Sequence, residues 1–320
     1  MIITEKILII ICAVAVAMVA AVFLISYVVY RVAFYSPYKG QNDMENLPDG
    51  EQFEQNRDLI VSAVRKLASL PFERVEVTSN DGLKLVGRLY RGKIGAPVDI
   101  CFHGYRGTGM KDFSMGGAFL IESGHNVIIV DERGCGESEG HTISFGINER
   151  KDAVVWCEKA AEIFGKECKI VLFGVSMGAT TVLMALGEED LPKNVICAVA
   201  DCPFDSPSDI IKTVCRMRKY TVGMSYPFVK FGARVFGKFD LEETSAAQAV
   251  KRAKIPALIM HGECDDFVYP EKSERIRVAN PDMIKRLTFP LAGHGLSFLY
   301  GKERYVKEFE NFLKECGAVE

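Results

Sequence analysis

Closely spaced metal ligands are missing from this sequence. None of its ten cysteines forms a C-x-x-C pair, and none of its five histidines forms an H-x-x-x-H pair. Zinc sites in proteins are usually assembled from such pairs. The sequence therefore predicts no metal site, and we also expect no cofactor.

An excess of positive charge is also lacking. The chain carries 39 Lys and Arg against 42 Asp and Glu, a net charge of -3, and it contains no long run of basic residues. Electrostatic binding to phosphates requires a basic stripe or patch. The composition therefore argues against a nucleic-acid partner.

One long hydrophobic run is present, at residues 7–30, between Lys6 and Arg31. As a helix it would be about 36 Å long, enough to cross a hydrocarbon core of about 30 Å. A cleaved signal peptide has an apolar region of about 7 to 15 residues that ends at small residues, whereas this run continues through residues 22–25. We therefore predict an uncleaved, single-pass anchor over residues 1–36, with a buried core helix as the alternative.

The cysteines bear on the compartment of the domain behind this anchor. Four of them lie in or beside apolar, strand-like runs and are predicted to be small core residues: Cys101, Cys168, Cys197 and Cys264. Unpaired cysteines favour a reducing compartment. The charges that flank the anchor are balanced, because Lys6 and the amino terminus face Arg31 and Lys39. The cysteines therefore favour a cytoplasmic location for the domain.

Residues 37–73 are predicted to form a juxtamembrane linker and a packing helix. Residues 41–50 are polar and contain a Pro-Asp-Gly turn. Residues 51–70 place apolar side chains at helical spacing before Pro71 ends the segment. These side chains are Leu59, Ile60, Ala63, Val64 and Leu67.

Strand-like and helix-like stretches alternate over residues 74–320, which we predict to be one α/β domain. Residues 74–78 and 83–90 are expected to pair as a hairpin, and further strands are predicted at 98–102, 126–130, 169–173, 195–200, 257–260 and 286–289. Continuously apolar strands indicate a mostly parallel, eight-stranded sheet with helices on both faces. Residues 203–254 are too long for a plain crossover and are predicted to form a helical cap.

The pattern G-x-S-x-G around Ser176 lies between a predicted strand and a predicted helix. In such an elbow the chain turns so sharply that glycines must flank the serine, and the helix behind it offers free N–H groups to a developing oxyanion. We therefore predict that Ser176 is a nucleophile. Ser138 lies in a second G-x-S-x-G match, but acidic residues flank it and a polar loop follows, so we interpret that match as a loop.

A serine nucleophile needs a histidine base and an orienting carboxylate. In this kind of sheet the chain order is nucleophile, acid, base, which selects His294 near the C-terminus and Asp265 after the seventh strand. Asp266 is the competing acid. His125 and His141 precede the nucleophile in polar surroundings and are predicted to lie on the surface.

These motifs together resemble the α/β-hydrolase superfamily, and in particular the bacterial membrane-anchored serine hydrolases related to the Bem46 and prolyl-oligopeptidase-like branches. The resemblance covers residues 74–320. It is carried by five pieces: SNDGLKL at 79–85, HGYRG at 103–107, DERGCGESEG at 131–140, the Ser176 elbow, and the loops of Asp265 and His294.

The resemblance implies an α/β-hydrolase fold and a Ser-His-Asp triad. It implies that the backbone N–H groups of Tyr105 and Met177 bind the oxyanion, that His103 is structural, and that Arg133 stabilises a loop beside the site. The implied activity is hydrolysis of a small-molecule or lipid ester, with acyl transfer or thioester hydrolysis as the alternatives. Peptidase activity is less expected, because no β-propeller precedes the domain, and so is a non-catalytic membrane module.

The predicted cap is rich in large apolar side chains, which could line an acyl pocket or bury the cap against the sheet. Both alternatives stay open from the sequence. The side chains are Phe204, Met217, Met224, Tyr226, Phe228, Phe231, Phe236 and Phe239.

Overall fold

The computed structural model describes residues 2–37, 47–48 and 50–319. Most of the predicted linker at residues 41–50 lies outside this range. The strands are Glu73–Thr78 (β1), Lys84–Tyr90 (β2), Val98–Phe102 (β3), Asn126–Asp131 (β4), Ile170–Val175 (β5), Val195–Asp201 (β6), Ala257–Gly262 (β7) and Ile284–Phe289 (β8). The helices are Ile2–Ala33 (α1), Glu51–Gln55 (α2), Arg57–Ser69 (α3), Gly109–Asp112 (α4), Gly116–Ser123 (α5), Glu149–Phe164 (α6), Met177–Ala185 (α7), Pro207–Met217 (α8), Val222–Val235 (α9), Ala246–Val250 (α10), Glu271–Ala279 (α11), Ser297–Tyr300 (α12) and Lys302–Glu315 (α13).

The strands form one eight-stranded sheet in the order β1-β2-β4-β3-β5-β6-β7-β8. β1 pairs antiparallel with β2, and β2 pairs antiparallel with β4. All other neighbours are parallel. The predicted mostly parallel sheet with an antiparallel start is confirmed. Because the carboxyl ends of parallel strands meet at one edge, this sheet brings the loops after β3, β5, β7 and β8 to the same side of the molecule.

Both faces of the sheet are covered by helices. Successive strand residues point to opposite faces, so Ile100 belongs to one hydrophobic cluster and Cys101 to the other. Trp156 of α6 packs in the first cluster, and Phe309 of α13 packs in the second. A strand that is buried on both faces needs no polar alternation, which explains why the sequence of β3 is almost continuously apolar.

The predicted packing helix is present but broken. Asn56 separates α2 from α3, so that residues 51–70 form two helices instead of one. The buried side chains of α3 are Ile60, Val64 and Leu67, which lie on one helical face. Leu59, which was predicted to share that face, is 54% exposed. Its helical position points away from the domain.

The last turns of α1 dock on the α/β domain. Phe23 meets Phe231 edge-on at 5.2 Å, and Tyr27 meets Phe236 at 5.1 Å. A Cβ atom on Gly232 of α9 would lie 2.5 Å from the Ser26 carbonyl oxygen, so this close helix contact requires glycine. The two helices therefore pack backbone to backbone at the point where α1 reaches the domain.

The end of α1 also contributes to the hydrophobic core. Phe34 is completely buried and Tyr30 is 7% exposed, and both belong to the larger core cluster. The hydroxyl of Tyr30 forms a hydrogen bond of 2.8 Å with Thr142 Oγ1. The predicted anchor segment, residues 1–36, thus ends in a stretch that packs into the hydrophobic core of the domain.

Residues 203–254 carry α8, α9 and α10 between β6 and β7. Phe204 and Phe239 are buried in the core, whereas Phe231 and Phe236 pack against α1. Met217 and Met224 are 49% and 73% exposed. The large apolar side chains of this segment therefore lie in three environments: the core, the contact with α1, and the solvent-exposed surface. The alternatives predicted from the sequence, an acyl pocket or burial against the sheet, do not include the last two.

Two further predictions about burial are corrected. Cys264 is exposed and Cys168 is half-buried, although Cys101 and Cys197 are buried as expected; all ten cysteines are free. His125, predicted to lie on the surface, is 8% exposed, because its ring pairs with the buried carboxylate of Asp99 at 2.7 Å. His141 is exposed, as predicted.

Candidate active site

Ser176 lies at the turn between β5 and α7, with φ 53° and ψ -110°. Positive φ is unfavourable for a residue with a side chain, and the glycines around the serine make the turn possible. A Cβ atom on Gly174 would lie 2.2 Å from the carbonyl oxygen of Gly178, and one on Gly178 would lie 2.0 Å from that of Phe102. The G-x-S-x-G pattern is thus required by close backbone packing on both sides of the serine.

Ser176, His294 and Asp265 form a continuous hydrogen-bonded chain. Ser176 Oγ is 2.8 Å from His294 Nε2, and His294 Nδ1 is 2.7 Å from Asp265 Oδ2. His294 lies on the loop after β8 and Asp265 on the loop after β7. The three residues come together because their strands end at the same edge of the sheet.

Asp265 is 2% exposed and uses both carboxylate oxygens. Oδ1 accepts hydrogen bonds from the backbone N–H groups of Phe267 and Val268, at 3.0 and 2.8 Å. Burial alone would raise the pKa of this carboxyl, but hydrogen bonds from His261 and His294 outweigh it and hold the pKa well below its usual range. Asp265 is therefore ionised at neutral pH. The side chain of the neighbouring Asp266 is exposed to solvent, unlike that of Asp265.

His261 is a member of this cluster that the sequence analysis missed. Its ring is fully buried, and its Nε2 lies 3.1 Å from Asp265 Oδ2 and 2.8 Å from the Val268 carbonyl oxygen. Both partners are acceptors, so Nε2 carries the proton and donates it. The sequence signal was its place at the end of β7, four residues before Asp265.

The loop after β3 approaches the nucleophile from the other side. A Cβ atom on Gly104 would lie 3.5 Å from Ser176 Cβ. His103 Nε2 accepts the Glu132 backbone N–H at 3.0 Å, so its Nδ1 donates to the Gly104 carbonyl oxygen at 2.8 Å. Both ring nitrogens of His103 are thus engaged by the backbone, and the side chain fixes this loop.

Two side chains of the same loop hold the end of α1. The hydroxyl of Tyr105 donates to the Ala33 carbonyl oxygen at 2.8 Å, and Arg106 Nη2 donates to the carbonyl oxygens of Val32 and Tyr35 at 2.9 and 2.6 Å. The last carbonyls of a helix have no intrahelical partner. The loop beside Ser176 therefore caps the C-terminus of α1.

Comparisons with known proteins agree with this architecture. The sequence profile described as the alpha/beta hydrolase fold matches residues 100–235. Protein bem46 of Schizosaccharomyces pombe is 24% identical over 264 residues, which are 80% of this chain and 76% of that protein. The Bacillus subtilis protein YqkD is 25% identical over 197 residues, which are 61% of this chain and 64% of that protein. An esterase of Pyrococcus furiosus superimposes with a TM-score of 0.62 and 25% identity, covering 78% of this chain and 93% of that one.

This chain has the α/β-hydrolase fold. The match spans slightly less than two thirds of the Bacillus protein.

The end of β6 and the residue after it add two residues to the surroundings of the candidate site. The backbone N–H of Ser176 donates to the Asp201 carbonyl oxygen at 2.8 Å, and the Asp201 side chain accepts from Ser297 Oγ at 2.9 Å. Burial raises the pKa of Asp201 to about 6. Cys202, with φ 50°, places its sulfur 3.9 Å from His294 Nε2.

Three atoms that could bind a metal ion lie within 4.8 Å of one another, one each from Cys202, Asp265 and His294. Both ring nitrogens of His294 are engaged, Nδ1 with Asp265 Oδ2 at 2.7 Å and Nε2 with Ser176 Oγ at 2.8 Å. The cluster is better described as part of the serine–histidine–aspartate chain.

Ser138 and Arg133 lie away from this cluster, on the loop after β4. Ser138 Oγ donates to the Asp131 carbonyl oxygen at 2.5 Å and accepts from the Val86 N–H at 2.8 Å, so both functions of its hydroxyl are used within the fold. Arg133 forms paired hydrogen bonds with the carboxylates of Asp81 and Asp152. Both residues stabilise the loop.

Proposed function

We propose that this α/β hydrolase is a membrane-tethered serine hydrolase that cleaves an ester through an acyl-enzyme. The observation that carries the proposal is the chain of two hydrogen bonds, 2.8 Å from Ser176 to His294 and 2.7 Å from His294 to Asp265. A nucleophile, a base and an orienting carboxylate within such distances are the arrangement that acyl transfer requires.

In the first half-reaction, Ser176 Oγ attacks the carbonyl carbon of the ester while His294 Nε2 takes the hydroxyl proton. The resulting oxyanion is stabilised by the backbone N–H groups of Met177 and Tyr105. Met177 opens α7, where N–H groups have no intrahelical acceptor, and Tyr105 follows Gly104 on the loop that approaches Ser176. The intermediate then expels the alcohol, which receives the proton from His294.

In the second half-reaction, His294 takes a proton from water, and the hydroxide attacks the acyl group on Ser176. Collapse of the second tetrahedral intermediate releases the acid and returns the proton to Ser176. Asp265 holds the His294 tautomer and stabilises its cationic form in both steps. His261 is a positioning residue, because it contacts Asp265 and not the serine.

The tether is proposed from α1. The most apolar 18-residue window within Thr4–Ala33 has a mean hydropathy of 3.3 and is not buried in the fold. Its exposed apolar part, residues 7–25, is about 28 Å long as a helix, close to the thickness of a hydrocarbon core. We propose that residues 1–36 carry the anchor, that residues 203–254 cap the site, and that the domain faces the cytoplasm, where its free cysteines stay reduced.

Ester hydrolysis by the purified full-length protein tests the proposal. Short- and long-chain acyl esters would be offered in detergent, and product analysis would separate release of free acid from transfer to an added alcohol or thiol. Ser176→Ala should lose activity by several orders of magnitude, because no other group replaces the nucleophile. Ser138→Ala, checked for folding, should retain it. Equal activity of Ser176→Ala and wild type would refute the proposed mechanism.

A further inference from the structure

The turn between α8 and α9 exposes apolar and basic side chains together. We name residues 216–224 the turn surface. Its large apolar members are Met217, Tyr220 and Met224, which are 49%, 63% and 73% exposed. Most large apolar side chains of the domain are buried, so three of them on one short turn form an unusual surface for contact with water.

The same turn carries three cations, Arg216, Arg218 and Lys219, and all three are exposed. Within the described part of the chain, none of them has a carboxylate within salt-bridge distance. The two cations within α9 are paired instead, Lys230 with Glu242 and Arg234 with Asp240. The chain as a whole has a net charge of -3, so the turn surface is a local concentration of unpaired positive charge.

The turn surface adjoins the helix proposed to cross the membrane. It includes the start of α9, and α9 packs against α1 through Phe231, Gly232 and Phe236. Met224 precedes Phe231 by about 10 Å along the helix axis. Phe231 contacts Phe23, which belongs to the exposed apolar part of α1. The turn surface is thus held within a short distance of the segment that would enter the bilayer.

We propose that the turn surface docks on the anionic headgroups of the bilayer that α1 crosses, with Tyr220, Met217 and Met224 reaching the acyl boundary. The inference rests on the membrane tether of the proposed function. Basic side chains beside aromatic and flexible apolar ones are the composition of interfacial segments, and each Lys or Arg near an anionic surface strengthens binding by about fivefold.

Docking at this turn would also orient the site. Arg106 and Tyr105 bind the end of α1 at the carboxyl edge of the sheet, which is the edge that carries Ser176. With α8 and α9 against the headgroups, that edge faces the lipid. Esters already dissolved in the bilayer are then the substrates closest to the nucleophile.

Depth-dependent fluorescence tests the docking. The chain has a single tryptophan, Trp156, which is 1% exposed and would be shielded from lipid. Tyr220→Trp would place a reporter on the turn surface, and Ile94→Trp would place a matched, fully exposed reporter on the loop before β3, at the opposite edge of the sheet. Both full-length variants would be reconstituted in vesicles of phosphatidylcholine with phosphatidylglycerol, in which part of the lipid carries bromine on its acyl chains.

We expect bromine to quench the reporter at position 220 several times more strongly than the reporter at position 94. Replacing Arg216, Arg218 and Lys219 by Gln in the Tyr220→Trp protein should weaken that quenching and remove its dependence on the anionic lipid, while the protein still floats with the vesicles. These results would support the docking.

Equal and weak quenching at both positions, in protein that floats with the vesicles, would overturn the docking and leave the tether intact. Failure of the protein to float with the vesicles would overturn both. If the fluorescence of the reporter at position 220 is not quenched by brominated lipid but changes when RNA or an acidic peptide is added, the turn surface binds a soluble polyanion and the proposal is refuted.

Discussion

The carboxylate of Asp265 accepts hydrogen bonds from two backbone N–H groups and two imidazole rings, whereas Asp266 beside it is exposed. This difference gives a prediction at the residue scale. Asp265→Asn should lower kcat by at least about two to three orders of magnitude, because His294 loses its orienting anion. Asp266→Asn, its matched control, should stay within about tenfold of wild type. Steady-state kinetics on both folded variants would check this, and the reverse ranking would transfer the role to Asp266.

Asp201 gives a prediction about stability instead of catalysis. Burial raises its pKa from 3.8 to about 6 in the folded protein. Its neutral form therefore stabilises the fold below about pH 4, and this contribution is lost as the pH rises through about 6. Asp201→Asn keeps an oxygen for Ser297 but cannot ionise. Relative to wild type, its free energy of unfolding should rise by up to about 3 kcal/mol between about pH 4 and pH 7.

Urea unfolding of both proteins in mild detergent at several pH values would measure that difference. A difference that stays constant over this range would show that Asp201 ionises in the folded protein as easily as in the unfolded chain.

At the residue scale, the sequence is informative where a residue follows a strand. Ser176, Asp265 and His294 each lie three to five residues after a predicted strand, so the parallel sheet places them at one edge, and the structure brings their side chains into contact. His261 also lies at the end of a predicted strand, but nothing in the local sequence shows that its ring lies behind the Asp265 carboxylate. The burial of His125 depends on Asp99 of the neighbouring strand, a partner that spacing along the chain does not identify.

At the scale of elements, the contact between α1 and the loop after β3 links the proposed membrane helix to the proposed oxyanion site. Tyr105→Phe removes the hydrogen bond to Ala33 but keeps the ring that stacks on Phe145 at 4.8 Å. We expect kcat to fall about tenfold with KM nearly unchanged, because the Tyr105 backbone N–H loses its support in the transition state. Affinity for a trifluoromethyl ketone, which forms an oxyanion on the serine, should fall in parallel.

Tyr30→Phe is the matched control for this change. It also removes one hydrogen bond between α1 and the domain, the one to Thr142, but it does not touch the oxyanion loop. The control should keep the kcat and the inhibitor affinity of wild type. If both variants lose the same activity, the Tyr105 hydroxyl acts only through stability.

Elements were predictable to different extents. The strands were found because burial on both faces makes them continuously apolar. The docking of α1 was missed, although Phe23, Tyr27, Tyr30 and Phe34 recur at spacings that place them on one helical face. In a helix that is apolar all round, an aromatic stripe does not stand out against its neighbours. The break at Asn56 was also not predicted. The apolar residues that indicate a helix in this segment all belong to α3 and lie after Asn56, so their spacing does not show where the helix begins.

At the scale of the whole molecule, we expect that the proposed anchor can be shortened only as far as the docked turns of α1. Deleting residues 1–22 removes exposed apolar surface and should give a folded, active protein that no longer needs detergent. Deleting residues 1–36 also removes the buried rings of Tyr30 and Phe34. Loss of one buried Phe side chain costs about 3 to 5 kcal/mol, so the shorter protein should unfold at a clearly lower temperature. Equal melting temperatures would show that α1 does not contribute to the core.

The central claim is that Ser176 forms the covalent intermediate with His294 as its base. The most direct measurement is to label the full-length protein with a fluorophosphonate and to map the modified peptide by mass spectrometry. We predict an adduct on Ser176 in wild type and in Ser138→Ala, no adduct in Ser176→Ala, and labelling slowed by several orders of magnitude in His294→Ala. Modification at Ser138, or full labelling of Ser176→Ala, would contradict the claim.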